Sequence, residues 1–422
     1  MKKNLKAGAL LYTLVISFVI FLLCGLLILS AYLSRLEIIN LNLFQKLVEN
    51  AQSGINLARS NPALFQLENE AVIDLFGKGE DSVRLEKKQW GIFNILACTS
   101  FSGTKEQQLA CLLGQYTARM DTLAIYLVDK NTALTLAGNT YLNGICYLPK
   151  SGTKRGTFEQ IPYTGNQLVH GDIRISTNQL PIFDSIIEKK LFEQLYSLHQ
   201  DSIIEFESIE QKNKIINSFF NKRLVIHSKN KIKLHGKQII GNVFIQSDQE
   251  IEIDADNEIV DAIFFSPSIK LNSKLMVQGQ FFSSDSILIE KDVILNYPSV
   301  IGIFASQPEN LIRKIVLKED SKVYGEVVTL EPELIGSSNC QIVLDSSSSV
   351  ICRVYSNGTI NIRGQVIGSV YTKEFYIQSG NSYYSNLLFN ASIDRPSLNS
   401  KFVLSGILEK SSNLQVIKWI KN

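Results

Sequence analysis

Four short stretches of this chain alternate polar and apolar residues and recur at a nearly fixed spacing. They are Lys231-Ile232-Lys233-Leu234-His235, Glu250-Ile251-Glu252-Ile253-Asp254, Ser268-Ile269-Lys270-Leu271-Asn272 and Ser286-Ile287-Leu288-Ile289-Glu290. Ile232, Ile251, Ile269 and Ile287 stand 19, 18 and 18 residues apart. Alternation with period two marks a strand with one buried face. A second apolar run falls in each interval: Val243-Phe244-Ile245, Ile263-Phe264-Phe265 and Gln280-Phe281-Phe282. One such unit cannot bury its apolar face alone, whereas stacked units share a continuous core. Short strands repeating every 18 or so residues therefore predict a parallel β-solenoid.

Further copies extend it. Thr359-Ile360-Asn361-Ile362-Arg363-Gly364 leads to Ile367-Gly368-Ser369-Val370-Tyr371, and Ala133-Leu134-Thr135-Leu136-Ala137-Gly138 leads to Leu142-Asn143-Gly144-Ile145-Cys146-Tyr147. The glycines suit corners with no room for a side chain. First solenoid strands are expected over 131–176 and the main solenoid over 223–390, separated by a helical insert over 177–222. Within the insert Phe183, Ile186, Ile187, Leu191, Leu195 and Leu198 recur at helical spacing after Pro181. A mixed region fills 59–130, with a helix expected over Gln107–Tyr116 and a strand over Leu123–Val128. Residues 391–422 are expected to cap the open end of the solenoid, because bare strand edges invite association. The fold class is mainly β.

The other strong signal lies at the start. A basic leader, 1–6, carries Lys2, Lys3 and Lys6, and no charge follows from Ala7 to Ser34. As a helix, the segment 7–34 is ~42 Å long at ~1.5 Å per residue, enough to cross a bilayer. Lysines before the span keep the N-terminus cytoplasmic and send the rest outward. A cleavable secretory signal has a shorter apolar run and a small-residue cleavage site, and here the run continues through Cys24-Gly25-Leu26-Leu27. Past Arg35 the helix is expected to continue over 35–58, with Leu36, Ile39, Leu43, Leu47 and Ala51 as a stripe. That stripe faces either a filament partner or the protein's own domain.

Lys6-Ala7-Gly8 followed by Ala9-Leu10-Leu11-Tyr12-Thr13 and a long apolar helix resembles the N-terminus of type IV pilins and secretion pseudopilins. The resemblance covers about the first 55 residues. It implies cleavage between Gly8 and Ala9 by a prepilin-type peptidase, and packing of the exposed helix with other pilin-like subunits. Thr13 would be the fifth mature residue, where major pilins carry Glu, a departure shared with some minor, tip-type pilins. Between Lys231 and Phe304 the glycine-punctuated strands also resemble bactofilins, which polymerise through a β-solenoid.

Formal net charge is +2 and 19% of residues are charged, so no clustered basic surface for nucleic acid is indicated. Outside the span the cysteines are Cys98, Cys111, Cys146, Cys340 and Cys352, an odd number. Cys98–Cys111 and Cys340–Cys352 are the pairs to test as disulfides, with buried thiols as the alternative. Of His170, His199, His227 and His235, none lies in an HExxH pattern. No GxSxG or phosphate loop occurs, and no cofactor or metal is implied. Alternation places His235, Asp254, Asn272 and Glu290 in one outward column. Such a column suits a solvated face, and alternatively glycan attack or cation binding. Three functions follow in order: a minor pilin-like subunit anchored in the inner membrane, an uncleaved envelope scaffold polymerising through its solenoid, and an anchored polysaccharide-active enzyme.

Overall fold

The computed structural model describes residues 8–62, 70–77, 79, 81–115, 123–197, 203–307, 311–332, 338–408 and 414–420. The leader lysines, Ala7, Tyr116, Leu198 and His199 lie outside the described residues. The chain divides into two compact units. One comprises Met1–Ala58, Asn69–Glu86 and Ala97–Leu109, and the other Arg59–Glu68, Lys87–Leu96 and Ala110–Asn422.

In the first unit, helix α1 (Gly8–Ser60) runs unbroken for 53 residues. Strand β1 (Glu70–Asp74) pairs antiparallel with the first half of β2 (Ser82–Trp90), from Glu70↔Glu86 to Asp74↔Ser82. Toward its C-terminal end α1 buries Leu47, Asn50, Ala51, Gly54, Ile55 and Ala58, the three- and four-residue steps of one helix face. Gly54 is there because a side chain would collide: an added Cβ would stand 2.8 Å from Cys98 Sγ and 3.0 Å from Val83 Cγ2. Ser100 Oγ donates to Leu47 O at 2.6 Å, and Asn50 Nδ2 donates to Asp81 Oδ1 at 2.9 Å.

The second unit is a parallel β-solenoid with three walls. On one wall Ile226, Ile245, Phe264, Phe281, Ile301, Val327, Val354 and Val370 are successive partners in register, all fully buried. On the next the order is Val277, Leu295, Val323, Val350, Val366, Ile393 and Leu142. The third carries Ile232, Ile251, Ile269, Ile287, Ile315, Ile342 and Ile360. Each inward Ile, Leu or Val contributes about 1.5–3 kcal/mol on burial, so these columns are the main source of cohesion. Inside, the Phe264 and Phe281 rings stack at 5.1 Å.

The alternating repeat thus stacks as the spacing predicts, but the order of rungs differs. The strand Ile203–Glu205 starts the stack by pairing with Leu224–Ser228. The rungs then follow the sequence as far as Val370, which pairs with Ile125; Ile125 pairs with Cys146, and Cys146 with Ile173. Residues 123–175 are therefore the last rungs, not the first. After Ile175 the chain must return along the whole stack, and helix α2 (Ser185–Tyr196) makes part of that return. It lies over the outer aromatics of one wall: Phe183 on Tyr355 at 4.6 Å between centroids, and Tyr196 on Phe265 at 5.1 Å. Asp184 caps it by accepting from Ile186 N at 2.9 Å and Ile187 N at 3.4 Å. Among the insert's described residues only this part is a long helix. Ile203–Glu205 and Lys214–Asn217 are strands of the first rung, and the short helix Phe206–Ile209 between them buries Phe206 and Ile209 in the core.

Two other expectations are corrected. Gln107–Tyr116 is not a helix: its described part belongs to strand β4 (Lys105–Gln115), following β3 (Phe93–Ser102). Its segment Ala110–Gln115 pairs antiparallel with Leu414–Ile420. That last strand, with the Leu404–Gln115 bridge, accordingly joins β4 instead of capping the solenoid.

Candidate functional site

The residues with functional potential fall in α1 and on the solenoid surface. Gly8 and Ala9, the junction implied for cleavage, open α1. From Gly8 to Asn42 every α1 residue is exposed, including Leu10, Ile20, Phe21, Leu27 and Ile28. Thr13 directs its hydroxyl to Leu10 O at 2.8 Å and so satisfies itself within its own helix. The helix is long and apolar enough to cross a membrane. The stripe past Arg35 divides: Leu47 and Ala51 are buried and Leu43 is half-buried, while Leu36 and Ile39 are exposed, as are Ile38, Leu41 and Phe44 beside them. At the junction Lys46 Nζ meets Asp81 Oδ1 at 2.7 Å.

The outward polar column is real and is internally paired. Lys231 Nζ reaches both Glu250 and Glu252 at 2.8 Å. Asn272 Nδ2 donates to Asp254 Oδ1 at 2.6 Å and to Glu252 Oε1 at 3.0 Å. His235 Nδ1 lies 3.0 Å from Asp256 Oδ2 and 3.5 Å from Asp254 Oδ2. Donation from Lys231, then from Asn272, holds the Glu252 carboxyl down at about 2. Glu290 lines the same shallow groove, beside Lys270. Each rung presents a polar residue at the same register position, and opposite charges one rung apart neutralise one another. Elsewhere His227 pairs with Asp248 at 2.9 Å, and the His170 ring lies against Tyr141. Among the described residues no group of three or more His, Cys, Asp or Glu is arranged to hold a metal ion.

Neither weighed disulfide is formed: Cys98, Cys111, Cys340 and Cys352 are buried thiols. The walls separate one pair. Cys340 belongs to the inner core, whereas Cys352 packs in a different cluster with Ile351 and Leu404. Burial pushes the Cys98 and Cys146 thiols up to about 12, and those of Cys340 and Cys352 upward as well.

One cleft, formed by Trp90, Phe219, Arg223 and the C-terminal half of α2, carries no sequence signature. Trp90 lies about a hundred residues or more from its other parts, so no local spacing reveals it.

Fold and site together define a β-solenoid protein with a long, apolar, exposed N-terminal helix. No protein-family profile matches the chain, and no curated protein does. Among solved structures it is similar to the competence-associated pilin ComZ from Thermus thermophilus. That likeness has 10% identity and a TM-score of 0.25, covering 84% of this chain and 86% of that one.

Proposed function

We propose that this protein is a non-enzymatic, membrane-anchored assembly subunit of the minor pilin kind. Its N-terminus faces the cytoplasm and its solenoid is displayed outside the inner membrane. A prepilin-type peptidase cuts between Gly8 and Ala9, and α1 then packs with other pilin-like subunits or with copies of itself. The observation that carries this reading is the length of exposed apolar helix. Residues 8–42 span ~50 Å at ~1.5 Å per residue, against a bilayer core of ~30 Å. About 20 Å of exposed helix is left beyond the span, and there Ile38, Ile39 and Leu41, with Phe44 just after them, stand exposed among Arg35, Glu37, Asn40 and Asn42. A plain anchor has no use for apolar residues in water, whereas a helix that packs among others does. Deleting the gene should abolish filament assembly, and a Leu41→Asp, Phe44→Asp variant should insert in the membrane without restoring it. Intact filaments, with unchanged uptake, secretion and adhesion in the deletion strain, would sink the proposal.

A second reading, the polymerising scaffold, has one observation in its favour. Ile173 and Ile175 sit at the end of the stack, Ile173 in register with Cys146 and Ile175 with Leu148, yet they are 54% and 65% exposed. Sedimentation that shows a monomer across a wide concentration range would count against it.

A further inference from the structure

The cleft on the second unit is built from three distant pieces. Gln280 fixes the turn at Gly91, accepting from Ile92 N and donating to Trp90 O, each at 3.0 Å. Gly91 has φ +58°, and a side chain there would strike Gln280. Asn217 Nδ2 donates to Lys222 O at 2.9 Å and Asn242 Nδ2 to Asn221 O at 3.0 Å, which fixes the loop carrying Arg223. Helix α2 supplies the third side, where Gln194 Oε1 accepts from Gly91 N at 3.2 Å. The volume of this open cleft is about 400 Å³, within the range of small-ligand pockets.

Arg223, half-buried, is unlike the buried arginines of this solenoid. Arg313 is matched by Glu331 at 2.7 Å and Arg353 by Glu326. Arg223 instead lies over the Trp90 ring, 5.1 Å from its centroid, and donates to Gln89 O at 3.3 Å. Among the described residues no carboxylate forms an ion pair with it. Burial lowers its pKa to about 10, so it remains charged at neutral pH. Lys88, Lys190 and Lys222 add further positive charges to the lining, against the single carboxylate of Glu193.

Gln89 and Gln194 line the same cleft, and each has one buried amide atom without a hydrogen-bond partner: Gln89 Oε1 and Gln194 Nε2. Their identities are fixed by their other ends. Gln89 Nε2 donates to Gly91 O and Ile187 O, each at 3.0 Å, and Gln194 Oε1 accepts from Gly91 N. One orphan is an acceptor and the other a donor. A ring of hydroxyls satisfies both at once, because each hydroxyl donates and accepts. A bare inorganic anion satisfies only donors. The apolar walls, Phe219 and Phe244, suit the C–H face of a pyranose.

We propose that this cleft binds a sugar acid, its carboxylate on Arg223 and its hydroxyls on Gln89 and Gln194. The proposal is independent of how the chain is anchored or assembled. It is tested by calorimetric titration of the detergent-solubilised full chain with galacturonate, glucuronate, galactose, glucose and inorganic phosphate. The uronates should bind at least roughly tenfold more tightly than the neutral sugars, the scale of a charge-assisted hydrogen bond. Arg223→Gln, and separately Gln194→Glu, which sets a like charge against the ligand, should each remove that preference. His235→Ala, on the polar column, should leave it intact. Trigalacturonate binding as well as the monomer assigns the ligand to a glycan chain, and failure to bind assigns it to the free sugar. The proposal is overturned if no uronate binds, if neutral sugars bind equally, or if both variants retain the preference. Phosphate competing on equal terms would likewise overturn it, reducing the cleft to an anion site.

Discussion

Arg353 donates through Nε and Nη2 to Glu326 Oε2 at 2.8 and 2.5 Å, and the two residues are direct partners on adjacent rungs. Both are almost wholly buried. Ser405 completes the group: its N–H donates to Glu326 Oε1 at 2.5 Å, and its carbonyl accepts from Arg353 at 3.0 Å. The pair thereby ties the segment around Ser405 to the solenoid wall. Removing one partner leaves the other charge buried and unpaired, at a cost of about 3–5 kcal/mol. Glu326→Gln should lower the urea midpoint more than Glu326→Leu combined with Arg353→Met. A single variant as stable as wild type would contradict this arrangement.

Two corner glycines leave no room for a side chain. Gly325 and Gly368 have φ of +154° and +149°, and an added Cβ would lie 1.8 Å from Ser299 O and from Cys352 O respectively. Neighbouring rungs would have to part, so Gly368→Ala should cost on the order of 3 kcal/mol. Gly380→Ala is the comparison, since its φ is +56° and nothing lies within 4 Å. It should cost only about 1 kcal/mol. Equal losses in chemical denaturation would show that the close approach is not the cause.

The polar column makes stability depend on acid. Glu252 titrates at about 2 instead of 4.5 because Lys231 and Asn272 donate to it. Its contribution is therefore fully present above about 4.5 and is lost as the pH falls through about 2. The stability gap between wild type and Glu252→Gln should narrow over that window. A gap unchanged at the acid end would contradict the assignment.

Buried thiols give the opposite slope. With Cys98 and Cys146 pushed from 9.0 to about 12, their contribution is intact below about 9 and is lost as the pH rises toward 12. At pH 8 a maleimide should label them only after unfolding. Rapid labelling of Cys146 in the folded chain would contradict its burial.

Much of the solenoid was legible because inward Ile and Leu residues repeat two apart within strands and about 18 apart between them. The rungs at Ile315 and Ile342 escaped notice for a definite reason. They follow their predecessors by 28 and 27 residues, with the added length after Phe304 and Leu330. Periodicity also reveals that rungs stack without revealing which end receives which, so the transfer of 123–175 to the far end was invisible. Gln107–Gln115 misled because Gln, Leu and Ala are good helix formers, and a strand buried over Ala110–Gly114 shows no alternation. In α1 the exposed apolar run and the buried stripe were both legible. Their boundary at Leu47 depends on Val83, Cys98 and Ser100, which are remote in sequence.

The mass of the N-terminal peptide, on protein purified from its native membrane, tests the central proposal most directly. A chain that begins at Ala9, with or without an added methyl group, is the expected result and establishes pilin-type processing. A chain that begins at Met1 would contradict it and leave α1 as an uncleaved anchor.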